Sequence, residues 1–153
     1  MIDLERLHQD LVWLETRLWN VLDTRLRADY DLPITSFLVM RFLHQHPGRR
    51  IRDIGQEFAI TAGGTSKVID RIEAAGHCRR HPHPTDRRSA IIELTPGGHD
   101  VVSRAAEVFE AELLRQIGSA ASVQSLAQFA ATLSTLRAAL SLNGRQASTD
   151  LDA

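Results

Sequence analysis

The stretch from Ile51 to Thr95 constrains this chain most, because its spacing of apolar, small and basic residues predicts two short helices and a hairpin. Ile51–Phe58 has apolar residues at helical spacing. Thr61 is a typical N-cap for a second helix over Ala62–Ala75, and Gly76 ends that helix. Two helices joined by a tight turn, the second with small polar and basic residues at its amino end, indicate a helix-turn-helix.

A basic hairpin follows the second helix. Cys78–His81 and Ala90–Leu94 are predicted strands, and Arg87 and Arg88 end the turn-prone tip between them. Arginines on a hairpin beside a recognition helix suit a narrow, electronegative minor groove. Asp86 is predicted to support this wing by orienting the Arg88 guanidinium two residues later.

Three motifs of the same region carry a resemblance. Asp70–Gly76, Asp86–Ser89 and Leu94–Gly98 read DRIEAAG, DRRS and LTPGG. Their order and spacing resemble the MarR (multiple antibiotic resistance regulator) family of winged helix-turn-helix transcription factors. The resemblance implies a DNA-binding regulator, most often a repressor, that binds a pseudo-palindromic operator as a homodimer. It also implies release from DNA by a small, often aromatic or phenolic ligand.

The expected DNA contacts lie on the second helix and the wing. They are Gly63, Gly64, Thr65, Ser66, Lys67, Arg71, Arg87 and Arg88. A glycine costs about 1 kcal/mol relative to alanine in a helix, so the paired glycines favour a close approach of the helix amino end to DNA. The resemblance implies that Arg88 is the wing arginine, while Arg71 is equally compatible with an intramolecular salt bridge.

The net charge of −1 hides an asymmetry. Residues 49–88 contain nine Lys or Arg and five Asp or Glu, a local net charge of +4, which leaves −5 for the rest of the chain. A charge cluster alone is more often a solvated face. Its coincidence with the predicted recognition helix and wing favours contact with phosphate.

Helices are predicted on both sides of this unit. Apolar residues from Leu4 to Val21 alternate steps of three and four, which predicts a long helix with a partner surface. The predicted flanking helices cover about 4–28, 34–46, 96–117 and 122–140. The fold class is therefore mainly α with a small β-hairpin, a winged helix-turn-helix in the order α-α-α-α-β-β-α-α.

The resemblance divides the chain by function. It implies that residues 1–30 and 96–142 form a dimerisation region around a DNA-binding region of residues 31–95. Asn143–Gly144 is predicted to stop the last helix, leaving 143–153 as a disordered tail. Four apolar residues are candidate walls of a ligand site, although apolar residues at helical spacing more often belong to plain core: Trp13, Trp19, Phe37 and Met40.

Seven histidines raise an alternative function, a zinc sensor or a histidine-cluster metalloprotein. His44 and His46 flank one residue, and that spacing points two rings about 200° apart on a helix. His81 and His83 are instead expected near phosphate, which would strengthen DNA binding at lower pH. Cys78 stands in the first wing strand, where a small buried thiol is expected rather than a redox sensor.

Other classes of function lack their sequence motifs. The chain has no G-x-S-x-G, Walker A, dinucleotide-binding or HExxH motif, so we predict no enzymatic activity, no cofactor and no metal. No apolar run is long enough to span a membrane. The acidic amino terminus lacks a secretion signal, and a single cysteine is compatible with a reducing compartment, so a cytoplasmic location is expected.

Overall fold

Helices form most of the chain, with one small antiparallel sheet. The computed structural model describes residues 1–86 and 88–151, with side chains as far as Ser141. Its elements are α1 (Leu4–Tyr30), α2 (Ile34–Gln45), β1 (Arg49–Arg50), α3 (Ile51–Phe58), α4 (Ala62–Ala74), β2 (Cys78–Pro82), β3 (Ala90–Leu94), α5 (Pro96–Ile117) and α6 (Val123–Leu151). The chain divides into two compact units, Met1–Leu113 and Leu114–Ala153.

The sheet has three strands in the order β1-β3-β2. The predicted hairpin is confirmed, with β2 and β3 in register from Cys78 opposite Leu94 to Pro82 opposite Ala90. The third strand, β1, was not predicted, and the observed order is therefore α-α-β-α-α-β-β-α-α. β1 consists of two arginines and has no apolar alternation that would predict a strand. It is a strand because it pairs with β3.

The core of the first unit takes side chains from every layer around the sheet. Each of the following is at most 2% exposed: Leu26 of α1, Phe37 and Met40 of α2, Ile54 of α3, Ile69 and Ile72 of α4, Ile92 of β3 and Val102 of α5. Packing of α4 on α3 and on the sheet fixes one face of α4 in the core and leaves the opposite face outside.

The ends of α4 follow the sequence prediction. Thr61 has an extended backbone, and its Oγ1 accepts the Gly64 N–H at 3.1 Å, which confirms it as the N-cap. Gly76 follows the helix with φ of +76°, a conformation that side-chain-bearing residues rarely adopt. These two residues set where the helix begins and where the chain turns into β2.

The junction between β3 and α5 closes onto the end of α4. Thr95 Oγ1 accepts the Gly98 N–H at 3.0 Å and donates to the Gly76 carbonyl at 2.8 Å. A Cβ on Gly98 would lie 2.0 Å from the His77 carbonyl oxygen, so only glycine fits there. Thr95 thus caps α5, and the first turn of α5 cannot shift without moving the α4–β2 turn.

The amino end of α2 is capped by a residue of α1. Pro33 offers no side-chain cap, and Asp23 Oδ1 instead accepts the Ile34 N–H at 2.8 Å. Asp23 Oδ2 also accepts from Arg27 Nε at 2.6 Å. Burial acts to raise the pKa of Asp23, but these hydrogen bonds and the Arg27 charge outweigh it, and the pKa lies below its usual value.

The last helix is longer than predicted. α6 continues to Leu151, so Asn143–Gly144 does not stop it and residues 143–151 are helical rather than a disordered tail. One glycine in a helix costs only about 1 kcal/mol, which the following helix-compatible residues tolerate; Asp152 and Ala153 lie outside the described residues. Among the described residues, no helix combines the length and the apolar character needed to cross a bilayer.

Candidate nucleic-acid interface

The amino half of α4 presents an open, basic surface. Ala62, Gly63 and Lys67 are exposed and Ser66 is partly exposed. Arg71 lies one turn after Lys67, on the same face. Neither cation makes an ion pair with any residue that the structure describes, so Arg71 does not form the intramolecular salt bridge considered from the sequence. Both charges are available to an external anion.

The two glycines of α4 differ in their surroundings. A Cβ on Gly63 would meet nothing within 4 Å, whereas a Cβ on Gly64 would lie 3.2 Å from the Thr61 hydroxyl oxygen. The absence of a side chain at Gly64 is therefore explained in part by the close Thr61 hydroxyl that caps the helix. Gly63 has no such neighbour in the chain, which is compatible with a surface that another molecule approaches closely.

The structure corrects the prediction for Thr65. Its side chain is fully buried, and its hydroxyl donates to the Thr61 carbonyl at 2.9 Å. A Cβ on Gly55 of α3 would lie 3.1 Å from Thr65 Oγ1, so the two helices meet closely here. Thr65 belongs to the stripe that continues through Ile69 and Ile72, and its side chain cannot contact DNA in this conformation.

At the wing tip, Asp86 shapes the backbone. Its Oδ1 accepts the backbone N–H of Arg88 at 3.1 Å, rather than the guanidinium contact expected from the sequence. Arg88 is exposed, and its guanidinium has no ion-pair partner in the described part of the chain. Arg87, the other expected wing contact, lies outside the described residues.

Two arginines that the sequence reasoning did not single out connect the wing to the rest of the unit. Arg80 of β2 donates to Asp70 Oδ1 at 2.6 Å and to both carboxylate oxygens of Glu73, through its guanidinium and its backbone N–H. Partial burial acts to lower the pKa of Arg80, but the Asp70 and Glu73 carboxylates raise it overall. The recognition helix and the first wing strand are thus joined by ion pairs.

The second of these arginines, Arg50, reaches the wing tip from β1. Its Nη2 lies 2.5 Å from His83 Nε2 and its Nη1 lies 3.8 Å from Asp86 Oδ2. Its backbone N–H donates to Asp53 Oδ2 at 2.9 Å and so fixes the start of α3. Sequence spacing gives no signal for the contacts of Arg50 with His83 and Asp86, because these partners are far from Arg50 along the chain.

Cys78 is a buried thiol, as expected. It is 1% exposed, and its Sγ lies 3.9 Å from the Ile69 carbonyl oxygen. Burial, and then the charge of Glu73, raise the pKa of Cys78 to about 11. The thiolate is therefore scarce at neutral pH, and the residue packs beneath α4 as a small apolar group.

The histidines do not form a single cluster. His44 Nδ1 lies 2.8 Å from His99 Nδ1, His46 stacks on Phe42, and His81 Nε2 lies 3.4 Å from Glu93. His83, expected near phosphate, instead faces the Arg50 guanidinium. Among the described residues, no three His, Cys, Asp or Glu side chains are arranged to hold a metal ion.

The four candidate ligand residues are not equivalent. Phe37 and Met40 are fully buried in the core, so they do not line an open pocket and their prediction as ligand contacts is corrected. Trp19 is partly buried against the core, and Trp13 is 67% exposed. A groove of about 420 Å³ lies elsewhere, on the wing, between Arg79, His81, Glu93 and the Leu94–Pro96 turn.

Residues 30–89, which contain α2, the helix-turn-helix and most of the wing, match the sequence model of the MarR family. This segment belongs to the MarR family. This family comprises transcription regulators and not enzymes. The matched residues include Thr61–Gly76 and Asp86, around which the open end of α4 and the wing tip are built.

Curated relatives match about half of the chain. The HTH-type transcriptional regulator TtmR of Methylorubrum extorquens is 32% identical over 48% of this chain and 37% of its own length. YkoM of Bacillus subtilis, an uncharacterised HTH-type transcriptional regulator, is 29% identical over 46% of each chain. The matched segment thus spans less than half the length of these relatives.

Solved MarR structures share the fold over most of the chain. Sco3205 of Streptomyces coelicolor, a MarR family regulator crystallised in complex with DNA, superposes with a TM-score of 0.80 over 90% of this chain and 88% of its own, at 20% identity. MarR of E. coli in its apo form superposes with a TM-score of 0.74 over 89% and 98%, at 18% identity. The fold predicted from the sequence is confirmed by this likeness.

Proposed function

We propose that this MarR-family protein is a DNA-binding regulator of transcription that acts in the cytoplasm on double-stranded DNA. The observation that carries the proposal is that Lys67 and Arg71 on α4 and Arg88 on the wing have no ion-pair partner among the described residues. Arg50 and Arg80, by contrast, are held by neighbours within the protein. Crystallisation of the structural relative Sco3205 with DNA supports the same reading.

We further propose that the protein binds DNA as a homodimer. The amino half of α1 exposes apolar side chains, with Leu4 71%, Val12 50% and Trp13 67% exposed. In the second unit, α6 exposes Val123, Phe129, Leu133, Leu136 and Leu140, each between 39% and 86%. Apolar surface on this scale is typical of an interface, and it lies in the 1–30 and 96–142 regions that the MarR resemblance assigns to dimerisation.

A two-fold dimer sets the form of the operator. Two recognition helices enter successive major grooves about 34–36 Å apart, so the operator should be a pseudo-palindrome. In this arrangement the open face of α4, with Gly63, Ser66, Lys67 and Arg71, meets the major groove. Arg88 on the wing then reaches the adjacent minor groove.

Fluorescence anisotropy over a salt series tests this function. The probe is a duplex from upstream of the protein's own gene, compared with a scrambled duplex of equal composition. Specific binding by two subunits is expected, with affinity falling steeply as salt rises, because phosphate contacts release counterions. The proposal would be contradicted by equal, weak binding to the two duplexes together with a selection from genomic fragments that yields no specifically bound sequence.

Arg88→Ala is the variant that tests the wing. We expect it to weaken operator binding by about 5- to 150-fold, the range for loss of one inserted arginine. Arg25→Ala, which removes a charge from the side of α1 and its pair with Asp29, is the matched control and should bind as the wild type does. Unchanged affinity of Arg88→Ala, with an intact dimer, would remove the wing from the interface.

We also propose that the protein is a repressor released from its operator by a small aromatic or phenolic ligand. Of the residues first considered, Trp13 and Trp19 remain candidates for contact with it. They are the only tryptophans of the chain and both lie in α1, so intrinsic fluorescence reports on that helix alone. A panel of simple phenols and aromatic acids should include compounds that quench the fluorescence and also displace operator DNA; quenching without displacement would contradict ligand-controlled release.

A further inference from the structure

The wing tip is connected to the opposite edge of the sheet by the Arg50–His83 contact. Arg50 lies in β1 and His83 directly follows β2, with β3 between the two strands. Only 24% of the Arg50 side chain is exposed. Since the backbone N–H of Arg50 is fixed by Asp53 at the start of α3, its guanidinium reaches the wing from an anchored position.

The contact with Arg50 requires that His83 Nε2 carries no proton. A guanidinium has only N–H donors, so His83 Nε2 can take part only by offering its lone pair. The remaining proton of a neutral ring then lies on Nδ1, where Thr85 Oγ1 is 3.3 Å away and can accept it. The backbone N–H of Thr85 points at Nδ1 from 3.2 Å and favours the opposite tautomer, with the proton on Nε2. The shorter, charge-assisted contact of Arg50 with Nε2 is the stronger of the two and selects the tautomer with a bare Nε2.

Protonation of His83 is incompatible with this arrangement. A second ring proton would place an N–H and a positive charge 2.5 Å from the Arg50 guanidinium. Asp86 of the tip also approaches Arg50, and the same carboxylate accepts the backbone N–H of Arg88. His81 and Arg80 on β2 are held by Glu93 and by the α4 carboxylates, so no further described carboxylate faces the ring to stabilise its charge.

We propose that Arg50 and His83 are positioning residues that hold the wing for DNA, and that they do so only while His83 is neutral. The inference rests on the proposed DNA-binding function. It reverses the effect that a histidine near phosphate has, because a proton added to the His83 ring breaks the contact with Arg50, so that acid releases the wing and weakens binding.

The first test needs no DNA. The Ser89 carbonyl accepts the His83 N–H at 3.1 Å and the Asp86 carbonyl accepts the Ser89 N–H at 3.0 Å, so these two amides report on closure of the tip. At pH 8, the ¹⁵N shifts of His83 should show a bare Nε2 and a protonated Nδ1. Exchange protection of both amides should fall by about tenfold at pH 5.5 and stay constant in His83→Gln, whose amide oxygen accepts without titrating.

The second test compares operator affinity at pH 8 and pH 5.5. Wild-type affinity should fall by about tenfold, the size of one charge-assisted hydrogen bond, and His83→Gln should remove that fall. His81→Gln, a matched loss of one wing histidine, should keep it. Arg50→Lys keeps the charge and the backbone hydrogen bond at α3, and should bind more weakly than wild type at pH 8 with a smaller dependence on pH.

Several outcomes would overturn the proposal. They are a protonated Nε2 at pH 8, tip protection that does not change with pH in the wild type, tighter wild-type binding at pH 5.5, and a His83→Gln variant with the wild-type pH dependence. Absence of specific binding at pH 8 would instead count against the proposed function. The tautomer and exchange measurements then decide the role of His83 alone.

Discussion

The two faces of α4 contrast in what surrounds them. On one face Thr65, Ile69 and Ile72 are at most 1% exposed and pack into the core. On the other, Gly63 and Lys67 are exposed and contact little of the protein. One helix therefore separates stability from recognition, and substitutions on each face should change one property without the other.

Ile69→Ala should have the largest effect, on the buried face. Ile69 is fully buried, and such truncations cost about 2–5 kcal/mol because they leave a cavity. Lys67→Ala on the open face should stay within about 0.5 kcal/mol of the wild type. Chemical denaturation at one fixed protein concentration measures both; equal losses in the two variants would break the contrast.

Thr65→Val tests the corrected residue. The change keeps the shape but removes the hydroxyl that donates to the Thr61 carbonyl, at a cost of about 1 kcal/mol. Operator affinity per folded dimer should not change, because the side chain faces α3. A variant with wild-type stability and lost affinity would return Thr65 to the recognition surface.

Gly63→Ala should move the two properties in opposite directions. A Cβ there meets nothing, so the better helix propensity of alanine should stabilise the protein by about 0.8–1 kcal/mol. Operator affinity should fall if DNA approaches this turn closely. Gly64→Ala is the comparison, since its Cβ would press on the Thr61 cap and offset the gain; unchanged affinity in both variants would refute the close approach.

Asp23 extends the contrast to a second helix end. α2 is capped by a carboxylate from α1, whereas α4 is capped by its own Thr61, which leaves its amino end open to an anion. Because the folded-state pKa of Asp23 is lowered, its stabilisation is present above about pH 4 and is lost as pH falls through that folded-state value.

Asp23→Asn keeps an oxygen acceptor for the Ile34 N–H but cannot titrate. The wild type should be more stable by about 1 kcal/mol at neutral pH, within the usual range for a helix cap. Urea unfolding between pH 6 and pH 3 should show this difference shrinking as pH falls. A difference that grows on acidification would mean that the carboxylate is not stabilised by the fold.

Local patterns in the sequence predicted most of the winged helix-turn-helix. Thr61 and Gly76 act through neighbours within a few residues, so their roles could be predicted from spacing. The apolar positions of α4 likewise identified its buried side. Thr65 was assigned to the wrong face because its polar hydroxyl is satisfied by the backbone of its own helix and does not require water.

The contacts that hold the wing could not be predicted in this way. Arg80 meets carboxylates seven and ten residues earlier, and Arg50 meets a histidine 33 residues later. Such pairs depend on the register of the sheet, which includes a strand of two arginines without any apolar pattern. The sequence showed that the region is basic, but not which of its cations form ion pairs within the protein.

The closed joint between β3 and α5 has a mechanical consequence. The Thr95 N–H donates to the His77 carbonyl at 3.0 Å, and the His77 N–H donates to Ile72 of α4 at 3.0 Å. Gly98 packs directly against the same His77 carbonyl, so the junction leaves no space for α5 to shift toward β2. The first turn of α5 and the carboxyl end of α4 are therefore coupled through three contacts and should move together.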